Sequence, residues 1–295
     1  MALRNPEGPA PFLKWAGGKS QLLSYLDRYF PQRFDKYFEP FLGGGAVFFH
    51  LVRQGRIERA VISDLNKDLI NCYVAIRDSL EELLENLKQL QRHARDKDFY
   101  YNNGRKRFNE IQLSTGIDGN VEKAALMMYL NKTCYNGLYR VNKKDEFNVP
   151  WGRYRNPRIC DEQNLRAVNA VLRREGVEIL CKDYQEVVED SRAGDFIYFD
   201  PPYQPVSSTA DFTAYTKQSF TIQDQQRLAE VFRELNNRGC LLMLSNSPKA
   251  RDLYRGYQVV NLKATRAISC VGSGRGSVDE LLIMNYHQDR FGTLS

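Results

Sequence analysis

Lys36-Tyr37-Phe38-Glu39-Pro40-Phe41-Leu42-Gly43-Gly44-Gly45-Ala46 is the stretch on which the fold reading turns. Lys36 to Glu39 reads as a short strand, Gly43 to Gly45 as a tight turn, and Ala46 to Gln54 as a helix. Glycines between a strand and a helix let the backbone come close to a ligand at the carboxyl edge of a sheet. The next unit repeats the order, with a strand from Arg59 to Ser63, an acidic loop and another helix. Asp64 ends that second strand, 21 positions after Gly43. An acidic side chain at that place can accept both hydroxyls of a ribose. The dinucleotide pattern G-x-G-x-x-G fails, because position 48 is Phe. The combination suits an adenosine group that lacks a pyrophosphate.

Outward from this core the alternation continues, then breaks, then resumes. Strand candidates in the second half are Glu178–Cys181, Phe196–Phe199, Cys240–Ser245, Tyr257–Leu262 and Glu280–Tyr286. Leu228, Val231, Phe232 and Leu235 line one face of a helix between two of them. From about residue 66 to 155 strand signals are weak. There Ser79-Leu80-Glu81-Glu82 has the form of a capping box, Leu80, Leu83, Leu84, Leu87 and Leu90 share a helical face, and Val121 to Leu130 is a mostly apolar helix. The expected architecture is α/β, a Rossmann-like doubly wound sheet built from residues 1–68 and 158–295. A mainly helical unit, 69–157, is inserted between them.

Composition bounds the function. The chain has 295 residues, 42% hydrophobic and 26% charged, an ordinary globular mix. No apolar run approaches a membrane span, and Met1 to Lys14 holds no apolar signal core, so a cytoplasmic protein is expected. Six cysteines without a C-x-x-C pair and three scattered histidines point to neither a metal site nor a disulfide framework. Net charge is +6 and is concentrated. Residues 131–158 hold seven Lys or Arg (Lys132, Arg140, Lys143, Lys144, Arg153, Arg155, Arg158) against Asp145 and Glu146, interleaved with five aromatics. A basic, aromatic segment of this kind suits a polyanion.

Two motifs carry chemistry. Trp15-Ala16-Gly17-Gly18-Lys19-Ser20 invites a phosphate-loop reading, but such a loop needs glycine at position 13, which is Leu, and a preceding strand. Asp200-Pro201-Pro202-Tyr203 follows the apolar run Phe196 to Phe199, so Asp200 stands at the carboxyl end of a central strand. The two prolines cannot donate ladder hydrogen bonds and end the strand, while their carbonyls stay free to accept. An aromatic amine such as adenine N6 is a poor nucleophile, because its lone pair is delocalised into the ring. The Asp200 carboxylate and the Pro201 carbonyl could hold both N–H groups, and Tyr203 could stack on the base. A sulfonium methyl donor then needs only in-line placement, without metal or covalent intermediate.

These motifs together resemble the Dam-type DNA adenine-N6 methyltransferases along most of the chain. Phe12 to Lys19 is similar to that family's N-terminal cofactor motif, Glu39-Pro40-Phe41 with the glycines to its first sheet motif, and Ser63 to Asn66 to its ribose-binding turn. Asp200 to Tyr203 looks like its signature tetrapeptide. The resemblance implies S-adenosylmethionine as methyl donor, held by Trp15, Lys19, Glu39, Phe41, Gly43, Asp64 and Asp200. Asp183 and Tyr184 would lie beside its adenine. Tyr135 to Arg140 and Phe147 to Tyr154 are similar to the family's recognition segment, which implies double-stranded DNA and the palindrome GATC. The residues so implied are Lys14, Tyr135, Asn136, Leu138, Arg140, Asn148, Pro150, Arg153 and Tyr154. Arg140 could read guanine O6 and N7 bidentately, and Tyr135 and Asn136 could brace the gap left by a flipped adenine. Arg153 and Tyr154 suit phosphates. Trp151 stands where the family often has Phe. A monomer is the simpler expectation. The tetrapeptide alone leaves open an RNA adenine or protein glutamine methyltransferase, and a non-catalytic DNA-binding relative. Thr209 to Phe220 reads as a lid or a surface loop, and Ser269 to Ser277, with Arg275, as a loop near DNA or an ordinary one.

Overall fold

The computed structural model describes residues 8–113, 119–202, 220–265 and 277–287. Seven strands form one sheet: β1 (Tyr37–Glu39), β2 (Ala60–Ser63), β3 (Val177–Leu180), β4 (Phe196–Phe199), β5 (Leu241–Asn246), β6 (Gln258–Thr265) and β7 (Ser277–Met284). Their order is β3-β2-β1-β4-β5-β7-β6. The first five are parallel, and β7 runs antiparallel between β5 and β6. Each expected strand is present within a few residues. The order reverses between β1 and β4, and the crevice outside that point is where such sheets hold ligands.

The sheet is covered on both faces, which is why its strands read as unbroken apolar runs. Along β4, Phe196 and Tyr198 join one buried cluster and Ile197 and Phe199 the other. The first face is covered by α1 (Ala46–Arg53), α2 (Lys67–Asp78), α3 (Leu80–Gln91), α4 (Val121–Thr133) and α5 (Glu162–Leu172). The second is covered by α6 (Ile222–Arg238) through Leu228, Val231, Phe232 and Leu235. Among the described residues no helix is long and apolar enough to cross a membrane.

Helix ends follow local chemistry, with one correction. Asn66 caps α2 by accepting from the Leu69 amide at 3.0 Å, and Thr221 with Asp224 forms a reciprocal capping box on α6. The capping box expected at Ser79 does not form. Ser79 ends α2, its amide bonded to the Ala75 carbonyl at 3.0 Å, while also leading into α3. Its backbone (φ −135°, ψ 42°) is not the extended one that turns a side chain onto the next helix.

The insert is helical as expected but ends in a folded-back segment. Single β-bridges join Cys134 to Trp151 and Val141 to Phe147. Its core is continuous with that of the sheet: Leu84, Tyr100, Phe108 and Tyr129 belong to the same cluster as Ile62 and Phe196. The expected division between residues 68 and 69 falls inside α2. We take α2 with the sheet and propose that the recognition unit begins after it.

Candidate active site

The carboxyl edge of β1 and β4 gathers an unusual density of buried charge. Lys19, 4% exposed, puts Nζ 2.7 Å from Asp200 Oδ1 and 3.3 Å from Glu280 Oε1. Burial alone would lower the lysine, but the carboxylates of Asp200 and Glu280, with Tyr198, outweigh it and raise it. Burial pushes Asp200 up to about 6, Glu280 adds to this and Lys19 opposes it. Beneath the pair, the Tyr198 hydroxyl lies 2.9 Å from Ser245 Oγ. Glu39 is buried, accepts from the Tyr37 hydroxyl at 2.8 Å, and is pushed up to about 8, first by burial and then by the Asp200 charge. Both effects favour its neutral form.

A second set lies along β1 and β2. Asp64 accepts from the Gly43 amide through Oδ2 and from the Asn66 amide through Oδ1, both at 2.9 Å. Each carboxylate oxygen keeps a lone pair for another donor. Gly43 has φ +51°, and a Cβ there would stand 2.7 Å from Trp15 Cδ1. The glycine turn is thus crowded by the protein's own indole. Gly43→Ala is expected to cost about 2 kcal/mol in urea unfolding, from the left-handed backbone and the clash together. It should also weaken any ligand held between Trp15 and Asp64, read by titration. Phe41 sits 5.3 Å from the Tyr184 ring and 5.9 Å, edge-on, from Phe220. Tyr184 is itself buried, and its hydroxyl accepts from Arg227 Nε at 2.7 Å. Arg227 also pairs with Asp183, which caps the short helix Tyr184–Val187 through the Gln185 amide.

The insert is tied to this edge by main-chain bonds. Asn131 of α4 accepts from the Lys14 amide at 2.9 Å and donates to the Lys14 carbonyl at 2.8 Å and the Gly137 carbonyl at 3.0 Å. Trp15 stacks on Tyr139 at 5.6 Å, whose hydroxyl donates to Asp68 at 2.7 Å. Lys14 Nζ lies 4.8 Å over the Tyr154 ring. Tyr135, 49% exposed, leads a tight turn in which Asn136 and Gly137 are both left-handed (φ 56° and 65°). Arg140 Nε donates to Asn148 Oδ1 at 2.7 Å, so Asn148 aims the guanidinium. Leu138 is half-buried, Pro150 and Arg153 are exposed, and the Pro150 carbonyl accepts from the Tyr135 amide at 2.7 Å.

Tyr203 lies outside the described residues, as do all of Thr209 to Phe220 except Phe220 itself and most of Ser269 to Ser277. Pro201 is buried directly after Asp200. Sequence reasoning missed Glu280, Tyr198, Asn131 and Arg227. Glu280 had a signal: a carboxylate inside an apolar strand run, next to Leu281, Leu282 and Ile283, requires a charged partner. The others had none, because their partners are far away in the chain.

Strand order, with β7 antiparallel between β5 and β6, makes this the methyltransferase type of Rossmann-like sheet. The family model described as D12 class N6 adenine-specific DNA methyltransferase matches residues 15–268, and the chain belongs to that family. It is 46% identical over 291 residues to the type II methyltransferase M.MjaIII of Methanocaldococcus jannaschii, covering 94% of this chain and 99% of that one. It is 41% identical over 280 residues to the type II methyltransferase M1.LlaDCHI of Lactococcus lactis subsp. cremoris (94% and 95% covered). It is 36% identical over 276 residues to the DNA adenine methylase of Vibrio cholerae (92% and 95%). Membership selects DNA among the substrates that the tetrapeptide leaves open.

Proposed function

We propose that the protein transfers a methyl group from S-adenosylmethionine to adenine N6 in duplex DNA at GATC, with Asp200, Pro201 and Tyr203 at the reacting amine. The observation that carries this is the junction at Lys14 and Trp15. One residue is held by the basic insert through Asn131, and the next packs against both Gly43 and Tyr139. Recognition and chemistry therefore meet at a single edge.

The donor set fits the cofactor. Asp64 offers a carboxylate with spare lone pairs for ribose hydroxyls, Phe41 and Trp15 offer aromatic faces, and Lys19 and Asp200 offer opposite charges for an amino acid moiety and a sulfonium. Asp183, Tyr184 and Glu39 are proposed to shape the same cleft from beneath. When bound, the cofactor supplies an electrophilic methyl. Asp200 and the Pro201 carbonyl accept from the two N6 hydrogens and favour a pyramidal nitrogen. The amine is unreachable inside a duplex, so the adenine is flipped, with Tyr135 and Asn136 filling the gap. Arg140 reads guanine, with Asn148 and Leu138 supporting it, and Lys14, Pro150, Arg153 and Tyr154 contact the backbone around the site.

Labelled cofactor with duplexes that differ only in GATC or a permuted tetranucleotide tests this. Label should enter the adenine of GATC with at least about a hundredfold preference, the summed effect of several lost base contacts. Equal labelling of both duplexes overturns the GATC assignment.

A further inference from the structure

Glu280 is a buried charge that the proposed chemistry has not used. It sits on β7, opposite Leu262 of β6 and one position before Leu281, which pairs with Asn246 of β5. It is 4% exposed, and its Oε1 has no hydrogen-bond donor among the described residues. What faces it is the Lys19 ammonium at 3.3 Å. That ammonium already has a closer partner, Asp200 at 2.7 Å. One Lys–Asp pair alone would be neutral. Among the described residues a second carboxylate, itself buried, leaves the cluster with more acidic than basic groups, and a buried uncompensated charge is costly unless something neutralises it.

We propose that Glu280 is a positioning residue for methyl transfer: it shares Lys19 with Asp200, so that the ammonium is not held by Asp200 alone and Asp200 keeps a free oxygen for the target amine. This rests on the reading of Asp200 as the acceptor at N6. The reaction brings a positive charge. As the N6 lone pair bonds the methyl carbon, the carbon–sulfur bond breaks toward sulfur. N6 carries the positive charge until it gives a proton to Asp200. A cluster with two carboxylates and one ammonium is complementary to that charge, whereas a neutral pair is not.

Among the described residues, the groups facing Asp200 come from its own strand and from three other places. They are Lys19 ahead of β1, Glu39 and Tyr37 on β1, Tyr198 on its own strand β4, backed by Ser245 on β5, and Glu280 on β7. The proton affinities of Glu39 and of the two tyrosines are all raised, which favours their neutral forms. Glu280 is therefore the like charge that can be deleted.

Glu280→Gln keeps shape and removes charge, and Glu280→Asp keeps charge. Methylation kinetics against pH are compared for both. For Gln, kcat is expected to fall roughly tenfold or more while KM for DNA stays within about twofold. The acid limb should move to lower pH by about one unit, because loss of a neighbouring negative charge lets Asp200 ionise more easily. Asp should leave the limb near its original place and restore part of kcat. A Gln variant with unchanged kcat and limb overturns the proposal. Equal losses in Gln and Asp with an unmoved limb also overturn it, since they mark a merely structural role. Should Gln fail to fold, Asp decides alone: about a threefold loss of kcat is expected from a carboxylate withdrawn by one methylene, and an unchanged kcat rejects the idea. Asp200→Ala run in parallel separates the two readings. If it stays active, the site assignment itself fails. If it is inactive while Glu280→Gln is normal, only the role of Glu280 fails.

Discussion

Asp200→Ala is expected to lower the rate of methyl transfer by about a thousandfold or more, while affinity for cognate duplex changes by no more than a few-fold. The size follows from the role proposed for the side chain. An acceptor aimed at a developing positive charge, in a buried site, is worth far more than the same group in water. Asp200 also holds Lys19 at 2.7 Å, so its loss alters the ammonium as well as the base. The fold should survive, because Lys19 keeps Glu280 at 3.3 Å. Thermal melting checks this. Single-turnover kinetics measure the chemical step, and a filter or anisotropy assay measures DNA binding. Retained turnover would remove Asp200 from the mechanism.

The same residue sets a pH dependence. The acceptor form is the carboxylate, and burial has pushed its pKa up to about 6. Protonation converts an acceptor into a donor. The rate should therefore be level above about pH 7 and fall about tenfold per unit below pH 6. A profile flat down to pH 5 contradicts the assignment.

What could be read from the sequence, and what could not, divides along physical lines. Parallel strands buried on both faces are apolar runs, so Phe196–Phe199 and Ala60–Ser63 declared themselves. Asp200 was legible because two prolines must end the strand that precedes it. The place of Asp64 after β2 was legible from its fixed offset from the glycines, one of whose amides it binds. Pairings across the sheet were not. Nothing local says that β7 enters between β5 and β6, and it is this pairing that carries Glu280 to Lys19. The two capping boxes show the limits of short motifs. Ser79 has the right residues but no room to turn between two abutting helices, whereas Thr221 and Asp224 cap a helix entered from an extended residue. Asn131 looked like an ordinary polar position near the end of an apolar helix. Its importance lies in Lys14, 117 residues away.

Arg140→Ala should relax specificity more than it weakens binding. Its guanidinium is not left to find its own direction. Asn148 accepts from Nε at 2.7 Å and its carbonyl lies 3.4 Å from Nη2, which fixes the plane of the fork. The Asn148 amide in turn donates to the Arg140 carbonyl at 3.1 Å, so the two arms of the folded-back segment orient one another. The remaining N–H groups are left for another acceptor, and the proposed one is O6 and N7 of a guanine. Each bidentate pair of this kind discriminates by about 1–3 kcal/mol. Arg140→Ala is thus expected to reduce the preference for GATC over a site altered at its guanine by about ten- to a hundredfold. Non-specific affinity should drop far less, since the exposed Arg153, Arg155 and the lysines at 143 and 144 remain available to phosphates. Asn148→Ala should reproduce part of the effect without removing any charge, which separates aiming from electrostatics. Competition between cognate and altered duplexes at fixed salt measures both variants. If Arg140→Ala instead weakens binding to all duplexes equally, with the preference intact, Arg140 is a phosphate contact and another residue reads the base.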